Sequence, residues 1–159
     1  VRLVKRKGNK LVDVTDTKED TQEFLRHGAY RYEAGCGGLY GTITDYEHMA
    51  RMLCSNGMYQ GKQFLKPETV CLMHTEAQKQ HLEPEPGFTW GLSVKIRQNP
   101  ELSGSYAHKG TYGWSGAFGT HFFVCPDEKL EAVFMTNRSD LGGSGSYISE
   151  KVEELVFGS

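Results

Sequence analysis

Tyr112-Gly-Trp-Ser-Gly-Ala-Phe-Gly-Thr-His-Phe-Phe-Val-Cys-Pro126 is the stretch on which the reading of this chain turns. Glycines at 113, 116 and 119 punctuate its first part, with Gly110 just before it, and Thr120 to Cys125 then runs apolar or aromatic on both faces. A continuous run of that kind reads as a central strand packed on both sides. Glycine inside a strand removes the side chain that would keep another group from the backbone. The stretch is therefore expected to be one strand, bare at one end and packed at the other, an element suited to carrying a site.

Working outward from it, Phe88-Thr-Trp-Gly-Leu-Ser-Val-Lys-Ile96 alternates apolar with small or polar residues. That period predicts a half-buried strand with Phe88, Trp90, Leu92, Val94 and Ile96 inward. Asn99-Pro100 turns the chain between the two, Pro126-Asp-Glu-Lys129 turns it again, and Leu130 to Asn137 reads as a third strand. After a glycine–serine loop, Ile148, Val152, Leu155 and Val156 fall on one face of a closing helix. Upstream, Thr44 and Glu47 have capping-box spacing, and Tyr46, Met49, Ala50 and Leu53 follow at helical intervals until Asn56-Gly57. A second helix starts at Pro67 with Val70 and Met73 inward. Residues 76–87 read as a loop, and residues 2–6 and 10–14 as an exposed charged hairpin around Gly8-Asn9. Thr21 to His27 is long enough for one or two helical turns. The sum is an α+β fold, an antiparallel sheet of about three long strands with packed helices. Residues 1–34 form an N-terminal hairpin and loop, and 35–159 the body of the domain.

The totals narrow the function. A chain of 159 residues fits one domain, and a net charge of −2 gives no footprint for nucleic acid. The basic start (Arg2, Lys5, Arg6, Lys7, Lys10) is answered at once by Asp13, Asp16, Glu19, Asp20 and Glu23, so it reads as a solvated hairpin. No apolar run approaches the ~20 residues needed to span a bilayer. No signal peptide precedes Val1, and a start at Val rather than Met is expected of a chain cut from something longer. Cysteines at 36, 54, 71 and 125 include no C-x-x-C pair, a spacing that suits neither zinc nor a disulfide framework. Cys54 and Cys71 lie on apolar helix faces and are expected to be buried free thiols, which favours a reducing compartment without fixing one.

A search for self-contained chemistry is mostly negative. Gly35-Cys-Gly-Gly-Leu39 lacks the G-K-[ST] ending of a phosphate loop, and His48 and His74 have no partner at metal spacing. Gly113-Trp-Ser-Gly-Ala117 has the outline of a nucleophile elbow, but an elbow needs strand, sharp turn and helix, and a strand follows here. His108 and His121 are the histidines nearest the glycines, and Glu83 and Glu85 sit beside prolines as solvated loop charges. No cofactor or metal is expected.

Several stretches taken in order resemble one family. They are Gly37-Gly-Leu-Tyr-Gly-Thr-Ile-Thr-Asp-Tyr46, Met52-Leu-Cys-Ser-Asn-Gly57, Phe64-Leu-Lys-Pro-Glu-Thr-Val70, Gly113-Trp-Ser-Gly-Ala-Phe-Gly-Thr-His121 and Val133-Phe-Met-Thr-Asn137. The chain resembles the serine β-lactamase and penicillin-binding-protein-like hydrolases, in the branch of esterases related to class C β-lactamases. The likeness runs from about Gly35 to Asn137. It implies acyl transfer, in which a serine attacks an amide or ester carbonyl and the acyl-enzyme is hydrolysed. Such enzymes carry the nucleophile in S-x-x-K, a Tyr-x-Asn-type second motif, and a third motif (K-T-G, or a variant such as W-G-G) on a strand beside the site.

This sequence contains no S-x-x-K and no visible second motif; Thr15-Asp-Thr-Lys18 has the spacing with the wrong residue. Only the third motif is present, as Trp114-Ser115-Gly116, with His108-Lys-Gly110 as an alternative alignment. The resemblance therefore implies an incomplete β-lactamase/transpeptidase-like fold with no catalytic residue of its own. The candidate substrate-binding residues are Trp114, Ser115, Gly116 and Ala117, with the Ala117 N–H in the place of one oxyanion donor. Trp114, where the family's lysine would hold a carboxylate, favours ester- or peptide-type over penicillin-like substrates. Trp114 as a plain core aromatic is the competing reading. The partner expected is the missing N-terminal half of the enzyme. The alternative is a non-catalytic interaction module that pairs with a second copy or another chain through an open sheet edge.

Overall fold

A computed structural model describes residues 2–20, 39–77, 85–143 and 146–158. Glycines 8 and 57 and their neighbours set the first two turns. The chain enters as a hairpin, β1 (Val4–Lys7) and β2 (Lys10–Asp13), turning at Gly8, whose φ of 60° is the left-handed value such a turn needs. Leu3 and Val14 are buried at its base, while Leu11 and Val12 are exposed. The possible helix at Thr21–His27 and most of the glycine stretch at 35–39 lie outside the described residues.

Helix α1 (Ile43–Cys54) starts two residues earlier than the expected cap. Thr42, in extended backbone, accepts from the Asp45 N–H at 3.1 Å, and the Asp45 carboxylate accepts from the Thr42 N–H. Thr42/Asp45 and Thr44/Glu47 share the same spacing, and the earlier pair closes the box. Glu47 instead pairs with Arg51 one turn on. The helix stops where expected, with Asn56 and Gly57 at φ 52° and 86°. A side chain at Gly57 would meet the Leu65 carbonyl, because the short ribbon β3 (Met58–Tyr59) and β4 (Lys62–Gln63) folds back there. Helix α2 (Pro67–Met73) follows.

The main sheet has five antiparallel strands in sequence order, rather than three long ones. They are β5 (Phe88–Trp90), β6 (Lys95–Arg97), β7 (Tyr112–Gly116), β8 (Thr120–Cys125) and β9 (Leu130–Phe134). Two of the expected strands are hairpins. The Phe88–Ile96 alternation reverses at Gly91, where any side chain would strike the Met73 carbonyl, so Leu92 points outward and is 67% exposed. The decisive stretch reverses at Ala117–Gly119, where Gly119 has φ 76°. Between β6 and β7 lies the short helix α3 (Pro100–Ser103), capped by the Asn99 side chain. The family-level expectation of an α+β fold on an antiparallel meander holds.

Two layers cover this sheet. Ala50, Leu53 and Val70 from α1 and α2 pack on Val94, Ile96, Tyr112, Phe122 and Val124. Tyr46 meets Phe122 edge-on and the His74 ring stacks on Tyr112 at 4.5 Å, so even positions of β7 and β8 face these helices. On the other face lies α4 (Tyr147–Phe157), with Phe157 against Phe123 at 5.3 Å. Of the expected apolar four, Ile148, Val152 and Val156 are half-buried but Leu155 is 80% exposed, and the fully buried residues are Ser149 and Glu153. The thiols also differ from expectation, since Cys71 is exposed and Cys54 half-buried, with burial pushing the Cys54 thiol up to about 11; among the described cysteines Cys125 is the fully buried one.

The N-terminal hairpin is stitched to the segment after β9. Val4 N–H donates to Asn137 at 3.0 Å, Ser139 N–H donates to Val4 at 3.0 Å, and Val4 bridges Arg138 in parallel. The same segment reaches the β7–β8 turn: Thr136 Oγ1 donates to the Phe118 carbonyl and Gly143 N–H to the Gly116 carbonyl.

Candidate functional site

The four residues singled out in the sequence lie together at the β7–β8 turn, but they do not share a face. Trp114 is 41% exposed and its ring lies 4.6 Å from that of Trp90. Ala117 is exposed at the turn, and Gly116 is half-buried beside it. The Gly116 carbonyl accepts from the N–H groups of both Gly119 and Gly143, at 3.2 and 3.1 Å, which fixes the turn. A Cβ at Gly116 would sit 2.2 Å from Oγ1 of Thr120, its cross-strand partner, so a side chain there would force the Thr120 hydroxyl to turn away. Gly142 is set against the same turn, with the Ala117 carbonyl where a side chain would go.

Ser115 points the other way, as alternation along a strand requires. It is 5% exposed, and its Oγ lies 2.8 Å from His121 Nδ1 on the paired strand. Next to it a cleft of about 290 Å³ opens between the sheet and α4, lined among others by Lys95, Arg97, Thr111, Ser115, His121 and Glu153. His121 Nε2 stands 3.2 Å from Glu153 Oε1, an ion-pair contact off the line of a good hydrogen bond. The other Glu153 oxygen accepts from Arg97 Nη2 and from Ser105 Oγ. Burial works to raise the Glu153 carboxyl's pKa, but His121 and the Arg97 charge outweigh it, and the pKa is lowered. Ser115, His121, Glu153 and Arg97 thus form one polar chain that ties α4 to β6, β7 and β8.

Glu153 was invisible from sequence, because a carboxylate in a helix otherwise read by its apolar stripe counts as solvent-facing. His121 was noted only for its nearness to the glycines. Their common signal is parity: Ser115 and His121 are equally spaced about Ala117–Gly119, so a turn there makes them neighbours. The chain has the order of a hydrolytic relay, yet Ser115 sits in mid-strand and Glu153 is shared with Arg97, a geometry that serves to hold helix on sheet. Glu85 pairs with the buried Lys95 at 2.5 Å at the far end of the cleft rather than standing alone in solvent. His48 and His74 are half-buried ring partners of Tyr59 and Tyr112. Among the described residues, no helix is long and apolar enough to cross a membrane.

Comparison with known proteins bears on the family and the fold. The model of the beta-lactamase family matches residues 5–156. Protein Rv1367c of Mycobacterium tuberculosis is 32% identical over 110 residues, covering 62% of this chain and 27% of that protein. Esterase EstB of Burkholderia gladioli is 26% identical over 116 residues, covering 72% of this chain and 28% of the esterase. The solved structure of EstCE1, a hydrolase with promiscuous acyltransferase activity, superimposes with a TM-score of 0.77 at 22% identity, over 98% of this chain and 43% of that one. At that identity the last comparison speaks to fold alone. The chain spans about a quarter of the length of the curated relatives it matches.

Proposed function

This chain belongs to the beta-lactamase family, and from that premise we propose that it forms the sheet wall of a serine-hydrolase acyl-transfer site and is inactive by itself. An ester or amide would lie along β7 past Trp114 and Gly116, with the Ala117 N–H as one donor to the developing oxyanion. The S-x-x-K pair is not within these 159 residues, so the attacking serine has to come from outside them. That serine would displace the alcohol or amine from the substrate carbonyl, and water would then hydrolyse the acyl-serine. The observation that carries this reading is the Gly116–Gly119 turn. Trp114 and Ala117 are exposed on an otherwise buried hairpin, while the Gly116 carbonyl is already held by two amides, so the wall is rigid and its outer side free for a ligand. The likeness to a protein named an esterase, EstB, supports an ester substrate for the proposed site, in keeping with tryptophan at 114.

Incubated alone with a p-nitrophenyl ester, the chain should release no nitrophenol above buffer. Addition of a separately produced segment that carries S-x-x-K and associates with the chain should restore turnover, and Trp114→Ala should then raise KM. An associated pair without turnover, or turnover by the chain alone, would count against the proposal. Fluorophosphonate labelling of Ser115 in the isolated chain would replace it with a reading in which the Ser115–His121 pair is the nucleophile.

One observation favours a second reading. Strand β9 pairs only with β8 among the described residues, and its five residues are all half-buried. An unpaired edge of that kind can add a strand from a second copy or another chain. Light scattering across a concentration series should then show a dimer that Val133→Pro abolishes, and a strictly monomeric chain would exclude pairing with itself.

A further inference from the structure

Cys125 and Glu128 stand on one segment, the end of β8 and the turn after it, with His108 in the loop before β7, and the spacing of the cysteines gave no hint of a metal site. The fold brings one ligand atom from each, Nδ1 or Nε2, Sγ and a carboxylate oxygen, to within 4.8 Å of one another. We propose that these three residues bind a zinc ion that fastens the end of the sheet away from Trp114.

Two pieces of backbone supply them, the end of β8 with the turn that follows it and the loop before β7. Cys125 ends β8 and is fully buried, so its sulfur is fixed by the sheet. Glu128 closes the Pro126–Glu128 turn, which Lys129 terminates at φ 52°. His108 stands in the loop before β7, where its carbonyl accepts from the Thr111 N–H and its ring lies 5.1 Å from Phe157 at the end of α4. The His108 Nδ1 already pairs with Glu128 Oε1. In a tetrahedral zinc site with Zn–S about 2.3 Å and Zn–N or Zn–O about 2.0–2.1 Å, donors are roughly 3.3–3.7 Å apart. The widest separation here needs to close by about 1 Å, within reach of the rotamers of two exposed side chains.

The donor set selects the ion. A thiolate with an imidazole suits zinc, while magnesium and calcium take all-oxygen shells. Binding replaces the Cys125 S–H proton by the metal and releases it to solvent. His108 and Glu128 are exposed, so the ion has a path in and the fourth position faces water. The site is at the opposite end of the β7–β8 hairpin from Ala117, since Tyr112 pairs with Val124 and Gly116 with Thr120. Its role is therefore to tether the loop before β7 and the β8–β9 turn beside α4, not to touch a substrate at the Gly116 turn.

Cobalt(II) titration of the reduced chain tests this through the near-ultraviolet thiolate-to-cobalt charge-transfer band. One cobalt per chain is expected, displaced by zinc. Cys125→Ser should remove the band, and Cys71→Ser, at an exposed thiol outside the cluster, should leave it intact. His108→Ala and Glu128→Gln are surface changes that leave the fold alone, and each should weaken zinc binding by at least about 10–100-fold, the cost already of losing a mere outer-shell partner. No band at saturating cobalt, a band that survives Cys125→Ser, or zinc affinity unchanged in both surface variants would overturn the proposal.

Discussion

Glu153→Ala should cost this chain about 3–5 kcal/mol of stability, because it leaves the Arg97 guanidinium buried beside the sheet with no counter-charge. The Arg97 and Glu153 side chains are 13% and 5% exposed, so water cannot take over the lost partner. The same substitution strips Ser105 of its acceptor and His121 of the carboxylate beside its Nε2. Against a total of about 5–15 kcal/mol for an ordinary domain, the variant would be largely unfolded at modest urea concentrations. Replacing both members, Arg97→Met with Glu153→Leu, should recover most of the loss, since matched apolar residues remove the two desolvation penalties together. Urea midpoints for the single and double variants check this, and a single variant within 1 kcal/mol of the parent would refute it. The pH dependence has a definite sign. The Glu153 pKa is depressed on folding, so its contribution is complete above the unfolded value of about 4.3 and fades as pH falls through the lower folded value. The gap between the parent and Glu153→Gln should therefore narrow on acidification.

Gly113→Ala is the second large effect. A methyl at 113 would stand 2.0 Å from the Phe122 carbonyl oxygen and 2.8 Å from the Phe123 Cα, both backbone atoms of the paired strand. No rotamer relieves that contact, so β7 and β8 have to separate in mid-sheet, at about 3 kcal/mol, the upper end of the usual overpacking range. Gly41→Ala is the control: nothing lies within 4 Å of its added carbon, φ there is not positive, and the change should stay within about 0.5 kcal/mol. Amide exchange of β8 should speed up in the first variant and not in the second.

Both predictions rest on features that local sequence patterns only half contain. The alternation through Phe88–Ile96 correctly announced strand, but a period of two does not show where a strand turns back. The reversal at Gly91 is imposed by the Met73 carbonyl of a different element. The hairpin at Ala117–Gly119 was concealed in the same way, since a glycine in a strand and a glycine in a turn are spelled alike. Stops and caps written by nearby residues were legible: Asn56-Gly57, Pro67 and the Pro126–Lys129 turn all stand where they were expected. The first cap was displaced because two pairs had the same spacing and only one could close. For the candidate site, Trp114 and Gly116 were singled out through resemblance to a family. The buried ends of the polar chain were not, because Arg97 and Glu153 meet across 56 residues and each looks solvated by itself. Leu155 was misplaced for a related reason, since the fully buried positions of α4 are the polar Ser149 and Glu153, the latter paired with Arg97.

The stitching of Val4 between Asn137 and Ser139 has a practical outcome for anyone reshaping this molecule. A tag fused next to residue 4, or a nick at Gly8, would loosen the strap that carries Gly143 to the Gly116 carbonyl, although more than a hundred positions of numbering separate them. Sequence position is thus a poor guide to which edits are remote: the β1–β2 hairpin acts as a buckle on the loop behind Trp114, and its removal would be read out first as disorder at Ala117.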